Sequence, residues 1–344
     1  MARAFLGSVG SAPKVAFLWS LGHGDEARGY GKTRHLLWFA ARVNEDFGQS
    51  VGRLAGRGRH PEKLLAAYAS FNTAEGLSLS NLLFDVVLNL ARSEGLTLAH
   101  LRAAATDAGR TPGDIYKAAA KRLRQSEADW FPGLLSVLSS KGPTAWIEYL
   151  ESFRQWHKVR YGPGMLRTSV AFLKEIGIDR LLILVDQVED FASFSTPTYK
   201  LKRDFDRLAL LCSEDRVLRG CVTFVLTMHP RAARILSRYW HHRVLGPVRV
   251  GEGAQNVVQL GAMNKNRFIS LVEAYLDTVR TVSSRDRLRP FREEAIEFVH
   301  ELERGRPGYC LQRLYFLLHL AATEGVEQIE RSFVERCLAK EPAL

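Results

Sequence analysis

The apolar residues of this chain fall into two textures. Short runs in which nearly every position is apolar occur at Val15-Ala16-Phe17-Leu18-Trp19, at Leu181-Leu182-Ile183-Leu184-Val185 and at Cys221-Val222-Thr223-Phe224-Val225-Leu226. Runs of this length, apolar on both faces, predict strands covered on both sides, as in a parallel sheet. Val257-Val258-Gln259-Leu260 reads as a last, shorter strand. The stretch Leu65–Phe71 is Ala-rich, and its pattern leaves strand and helix both open. Longer segments carry helical spacing instead. Leu36–Asn44 is predicted to be a helix, apolar nearly all round over Leu36–Ala41 and therefore packed inside. Ser80–Leu90 places Leu82, Val86 and Asn89 or Leu90 on one face, and Met165–Ile176 reads as an amphipathic helix stopped by Gly177. Residues 1–13 read as an irregular leader ending at Pro13, and Gly52–Lys63 as a basic loop.

From about residue 94 to residue 164 the pattern is wholly helical. Leu98–Ala108, Ile115–Arg124, Trp130–Leu138 and Ala145–Val159 are separated by pairs such as Pro112-Gly113, Pro132-Gly133, Gly142-Pro143 and Pro163-Gly164. After Leu260 the chain is helical again, with predicted helices over Lys265–Arg280, Pro290–Leu302, Gly305–Ala322 and Ile329–Leu338. Glu293 and Glu294 fall in the first turn of the second of these, where the helix dipole favours acids. The expected architecture is α/β: a parallel-sheet core over residues 1–260, interrupted by a large helical insert at about 94–164, then an all-helical C-terminal domain over 261–344.

Composition constrains the setting. The 344 residues are 46% hydrophobic and 25% charged, as expected of a globular protein. No apolar run approaches the roughly 20 residues that span a bilayer, and the N-terminus lacks a signal-peptide layout. Cys212, Cys221, Cys310 and Cys337 are widely spaced and form no metal-ligand grouping, so they are expected to be buried free thiols in a cytoplasmic protein. The net charge of +11 points to contact with nucleic acid or simply to a solvated basic surface. Lys117, Lys121, Arg122 and Arg124 crowd one predicted helix. Arg154, Lys158 and Arg160 crowd another, with Trp156 and His157 between them. Such faces could track a nucleic-acid strand, hold a protein partner or be solvated.

Chemistry concentrates at two places. Gly29-Tyr30-Gly31-Lys32-Thr33 lies between the first strand and the first long helix. Strand, glycine loop with Lys-Thr, then helix is the arrangement of a phosphate cradle: backbone N–H groups and the helix N-terminus face the phosphates. Lys32 would reach the β- and γ-phosphates of ATP, and the Thr33 hydroxyl would hold Mg²⁺. The full spacing calls for glycine five residues before Gly31, where Glu26 stands. The second place is Asp186, an acid at the C-terminal end of an apolar strand, where ligands of parallel α/β sheets gather. It fits a carboxylate that holds Mg²⁺ through water beside Thr33.

Leu182-Ile183-Leu184-Val185-Asp186-Gln187 resembles the second signature of P-loop ATPases, four apolar residues followed by Asp-Glu. Gln187 stands where most of them place the glutamate that polarises the attacking water. Some signal-transducing members read Asp-Gln-x-Glu, and the resemblance then gives that role to Glu189. In AAA+ ATPases the next strand ends in a residue that senses the γ-phosphate, which implies Thr227, with His229 as runner-up. Ser237-Arg238-Tyr239 resembles the segment that offers an arginine to a neighbouring subunit's ATP, which implies Arg238, then Arg243. Glu293-Glu294-Ala295-Ile296 and Gly305-Arg306-Pro307 resemble the helical lid of the origin-recognition and transposition-helper branch. Gly308 occupies the place of the lid arginine that usually touches ATP, and Arg306 or Arg313 could substitute. The resemblance covers residues 15–50 and 165–340 and leaves out the insert.

These readings imply an AAA+-type ATPase that binds ATP and Mg²⁺ between core and lid. It would act as a nucleotide-dependent switch or loader on DNA, hydrolysing slowly and under regulation. Comparable ATPases accompany replication initiators, transposases and phage-defence systems. Oligomerisation is expected, and the insert is the expected place for a partner protein. The alternatives are a nucleotide-binding scaffold without meaningful turnover and, less favoured, a nucleoside or sugar kinase.

Overall fold

Each all-apolar run forms a strand of one sheet. In this computed structural model, which describes residues 2–6, 15–20, 28–55, 62–70, 78–92, 109–110, 112–123, 144–152, 155–188, 199–228, 256–281 and 285–340, the strands are β1 (Val15–Ser20), β2 (Leu64–Ser70), β3 (Arg180–Asp186), β4 (Val222–Met228) and β5 (Val257–Leu260). Their spatial order is β2-β3-β4-β1-β5. The pairs β2/β3, β3/β4 and β1/β4 are parallel. Ser70 pairs with Asp186, and Leu18 with Thr227, so the polar ends of β2, β3 and β4 lie along one edge of the sheet. The Ala-rich stretch is a strand rather than a helix. Leu64, Leu65, Ala66, Ala67 and Ala69 are all buried in it, and small side chains suit a strand covered closely on both faces.

The chain divides into two compact units: Met1–Trp19 with Lys32–Gln259, and Ser20–Gly31 with Leu260–Leu344. In the first, helices α1 (Ala2–Leu6), α2 (Lys32–Glu45), α3 (Gln49–Leu54), α4 (Leu79–Arg92), α5 (Pro112–Ala120), α6 (Thr144–Glu151), α7 (Gln155–Glu175) and α8 (Tyr199–Ser213) accompany the sheet.

Four expectations are corrected here. The leader is not irregular over its described part: α1 buries Phe5 and Leu6, and the Phe5 ring meets Phe39 edge-on at 5.1 Å. The segment Leu36–Ala41 is not buried all round. A helix lying on a sheet hides one stripe only. Leu36, Phe39, Ala40 and Val43 form it, while Leu37 and Trp38 are 47% and 53% exposed. The supposed loop from Gly52 begins as the last turn of α3.

The fourth correction concerns Pro163-Gly164, which does not end a helix. α7 runs unbroken through it. Proline inside a helix costs a hydrogen bond and a clash, but Leu166, Val170 and Leu173 bury themselves at helical spacing in the main core, and that packing outweighs the local preference. Gly162 allows α7 to lie against the start of α4. A Cβ there would stand 2.3 Å from the Ser80 carbonyl oxygen.

The described helices of the segment 94–164 share the same core: Ile115 and Ala119 of α5 and Leu150 of α6 belong to the cluster that includes the sheet residues. Some of the basic residues there are spent on structure. Arg110 and Arg122 both pair with Glu175 of α7, at 3.0 and 2.7 Å. Burial pushes the Glu175 carboxyl up, but the two guanidinium hydrogen bonds outweigh it and hold the group below the usual range. Its contribution to stability is therefore present above the unfolded-state value and lost as pH falls through the lowered one. Lys117 and Lys121 remain exposed. The side chains of Arg124, Arg154, Lys158 and Arg160 lie outside the described residues, as do Leu98–Ala108 and Trp130–Leu138.

The second unit packs α9 (Lys265–Val279), α10 (Glu293–Leu302), α11 (Pro307–Glu324) and α12 (Arg331–Lys340) around Phe268, Val272, Ile296, Val299, Leu314, Leu317, Phe333 and Val334. The Asn264 side chain accepts from the Arg267 amide at 2.9 Å and caps α9. Pro307 opens α11, and Gly325, with φ of 67°, closes it. α10 begins at Glu293, three residues later than expected, because Phe291 is buried and bridges to Ile329 instead of joining the helix. Cys221, Cys310 and Cys337 are buried thiols outside any disulfide. Among the described residues, no helix is long and apolar enough to cross a membrane.

The α4–α7 contact makes one substitution decisive. Gly162→Ala should lower the free energy of unfolding by about 1–3 kcal/mol, the usual range for overpacking. Gly261→Ala, whose Cβ would meet nothing within 4 Å, is the control. Equal urea midpoints for the two variants would show that α7 does not approach α4 so closely.

Candidate functional site

Asp186 ends β3 with only 2% of its surface exposed. A carboxylate so placed must be hydrogen-bonded, and the sheet order supplies donors from both sides. From β4, the Thr227 hydroxyl donates to Oδ1 at 3.0 Å. The backbone N–H of Gln187 is shared between the same Oδ1, at 2.9 Å, and the Thr227 Oγ1, at 2.8 Å. Gln187 adopts φ of 59°, in the left-handed region that a side chain rarely occupies. From β2, the Tyr68 hydroxyl lies 3.2 Å from Oδ2. From the first turn of α2, the Thr33 hydroxyl donates to that same Oδ2 in a very short bond. Lys32, at the first position of α2, is buried beside it in sequence.

Tyr68 and Ser70 were not singled out from the sequence. They share one face of β2, two residues apart, and are the polar positions of a strand otherwise made of Leu and Ala. That polar pair at a strand's C-terminal end was the available signal. The Ser70 hydroxyl donates to Gln187 Oε1 at 2.8 Å. Burial, the Asp186 charge and the bond to it push the Tyr68 hydroxyl up to about 12. At neutral pH it is a proton donor.

In the second unit, Gly29 and Gly31 adopt φ of 80° and 77°, conformations that glycine tolerates without strain. The Gly308 amide donates to the Gly29 carbonyl at 2.7 Å. A Cβ at Gly308 would stand 2.8 Å from that oxygen and 3.1 Å from the Gly29 Cα. The glycine at the place of the expected lid arginine is thus required by this close approach. The Tyr309 ring fills the space a Gly29 side chain would need, and the Arg306 guanidinium stacks on that ring at 4.5 Å. Arg313 donates to the buried Glu303 carboxylate at 2.6 Å, and Arg306 stands 3.7 Å from the other oxygen of that group. Both arginines therefore converge on Glu303.

The first unit brings Lys32, Thr33, Asp186 and Thr227 to one end of the sheet. The second brings Gly29 against α11, and Arg306 and Arg313 to Glu303. Glu26, Glu189, His229, Arg238 and Arg243 lie outside the described residues. No group of three or more His, Cys, Asp or Glu residues suited to a metal occurs among the described residues. One carboxylate and one hydroxyl nevertheless fit Mg²⁺, which keeps several waters and takes its other ligands from phosphate.

No protein-family model matches the sequence, and no curated protein matches it. Solved structures do. The ORC2 protein of Aeropyrum pernix in its ADP form is 12% identical, with 98% of this chain and 66% of that one covered and a TM-score of 0.50. The same protein in its ADPNP–ADP complexes gives 13% identity, 100% and 67% coverage and a TM-score of 0.48. This chain thus spans just under two thirds of the length of the ADP-form structure. The likeness shows the fold alone: an α/β parallel sheet with accompanying helices, similar to that of the ORC2 protein in its ADP form.

The Gly29–Gly308 approach can be tested directly. Gly308→Ala should destabilise the protein by about 1–3 kcal/mol, because neither backbone segment has room for a methyl group. A denaturation midpoint equal to that of the wild type would mean that this contact does not form in solution.

Proposed function

We propose that the protein is an ATP-binding, AAA+-like ATPase that acts as a nucleotide-dependent switch or loader on DNA and hydrolyses slowly. The observation that carries this reading is the hydrogen bond from Thr33 to Asp186, which joins the end of the glycine loop to the acid of β3. Lys32 and Thr33 would hold the phosphates and Mg²⁺, with Asp186 orienting the metal's water shell. When bound, the metal would supply charge neutralisation at the phosphates. The fold shared with a protein solved in its ADP form supports a nucleotide as ligand.

Slow turnover is supported by Gln187. An amide cannot take a proton from water, and its carbonyl oxygen is already engaged by Ser70. Glu189 is the residue to which hydrolysis would then fall, with Arg238 the candidate arginine offered between subunits. The scaffold alternative keeps this same site and drops turnover altogether. The net charge of +11 supports DNA as partner, although the described share of it includes arginines already paired with acids. Oligomerisation, or a partner protein on the segment 94–164, completes the reading.

Three measurements test it. Lys32→Ala should weaken ATP binding about tenfold to a hundredfold, the worth of one or two charge-assisted hydrogen bonds; unchanged affinity would sink the nucleotide site. Gln187→Glu should raise the single-turnover rate if the site lacks a base. If Glu189→Gln abolishes wild-type turnover, Glu189 is that base, and if neither variant changes a null rate the scaffold reading stands. In DNA titrations over salt concentration, removing the exposed Lys117 and Lys121 should lower the log–log slope by about 2, near one unit per phosphate contact. An undetectable affinity for DNA at low salt would reassign the basic surface to a protein partner.

A further inference from the structure

The Asp186 carboxylate has two oxygens and about four lone-pair sites, and protein donors take all of them. Thr227 and the Gln187 N–H hold Oδ1. Thr33 and Tyr68 hold Oδ2. A metal-bound water can reach this carboxylate only if one of the four withdraws. The Gln187 N–H is fixed by its own backbone, and Thr227 is held in the same small ring of bonds. Thr33 can offer a lone pair to a cation while still donating its proton to Oδ2. Tyr68 makes the longest bond of the set, at 3.2 Å. It also has a polar neighbour on its own face of β2, the Ser70 hydroxyl two residues on.

We infer that Tyr68 is a displaceable cap on Asp186, which competes with the water shell of the divalent cation and so sets the cation concentration at which the site fills. Ser70 is the alternative partner that receives the phenol when the metal arrives. Because Ser70 also holds Gln187, filling the metal site and orienting the residue after Asp186 become one event. Tyr68 is a positioning residue in this account. It acts through Asp186 and touches no reacting atom. The inference rests on the nucleotide reading above.

The test uses the full chain, a fluorescent ADP analogue and Mn²⁺ as the probe cation. Analogue affinity is measured first in EDTA, and Mn²⁺ binding to the loaded protein is then followed by electron paramagnetic resonance. Tyr68→Phe should leave affinity in EDTA unchanged and lower the Mn²⁺ half-saturation point by about twofold to tenfold, the worth of one net hydrogen bond. Ser70→Ala should move it the other way, since the phenol then has no second partner. Opposite shifts from two neighbouring residues would not arise from general loosening of the fold. Unchanged Mn²⁺ binding in Tyr68→Phe, weaker binding in it, or shifts of the same sign in both variants would overturn the cap. Wild-type protein that binds the analogue in neither EDTA nor Mn²⁺ would overturn the nucleotide reading, and the cap with it.

Discussion

A buried carboxylate at the C-terminal end of β3 is the constraint on which the first unit turns. Moving such a group out of water costs several kcal/mol unless its oxygens are satisfied. Asp186 is almost wholly buried, and its donors come from β4, β2, α2 and its own neighbour's backbone. Only a strand flanked on both sides can be served in this way. The order β2-β3-β4 is therefore not merely a packing solution. It places Tyr68 and Ser70 on one side of the acid and Thr227 on the other, and the first turn of α2 brings Thr33 to the same carboxylate. Residues that look like minor polar interruptions of apolar strands are the condition for burying the charge.

Saturation of that charge has a consequence for ligands. Under the proposed function, a cation could reach an acid already bonded on every lone pair only by exchange of partners rather than by simple addition. Such exchange is a balance between bonds of similar worth, about 1 kcal/mol net each. A balance of this kind responds to ligand concentration more readily than a preformed vacancy would. This suits a switch, in which the two states must lie within a few kcal/mol of one another, better than it suits an enzyme built for rate. Gln187 points the same way. Its backbone bends into a region usually left to glycine, and its side chain is tied to Ser70.

Much of this was legible in the sequence where the signal is local. The strands at Val15, Leu181 and Val222 declare themselves by being apolar on both faces. Lys32, Thr33 and Asp186 declare themselves by their places after a glycine turn and at a strand end, and Thr227 by analogy of position. What could not be read is what exists only across the fold. The Ala-rich β2 became a strand because β3 lies beside it. Tyr68 matters only because its side chain reaches across to Asp186, a register no single run encodes. α7 passes through Pro163 because the core holds Leu166 and Val170 in place, and local preference at Pro-Gly pointed the wrong way. Leu37 and Trp38 were misassigned for the converse reason: hydrophobicity alone does not say how wide a helix's buried stripe is.

The departures from the expected ATPase pattern gain meaning from the same view. A decaying site accumulates changes singly, each leaving its former partner stranded. Here two of the departures come with partners that fit them. Gly308 meets the Gly29 backbone, which leaves no space for a side chain on Gly308, and the Tyr309 ring fills the space beside Gly29. Gln187 meets Ser70, whose hydroxyl donates to its amide oxygen. In the second unit Arg306 and Arg313 share one buried acid, Glu303, so the cations near the start of α11 are fixed in place. Paired fits of this kind are what selection for a stable arrangement produces. They argue that each unit carries its own fitted arrangement, and that the behaviour of each is to be derived from these partners.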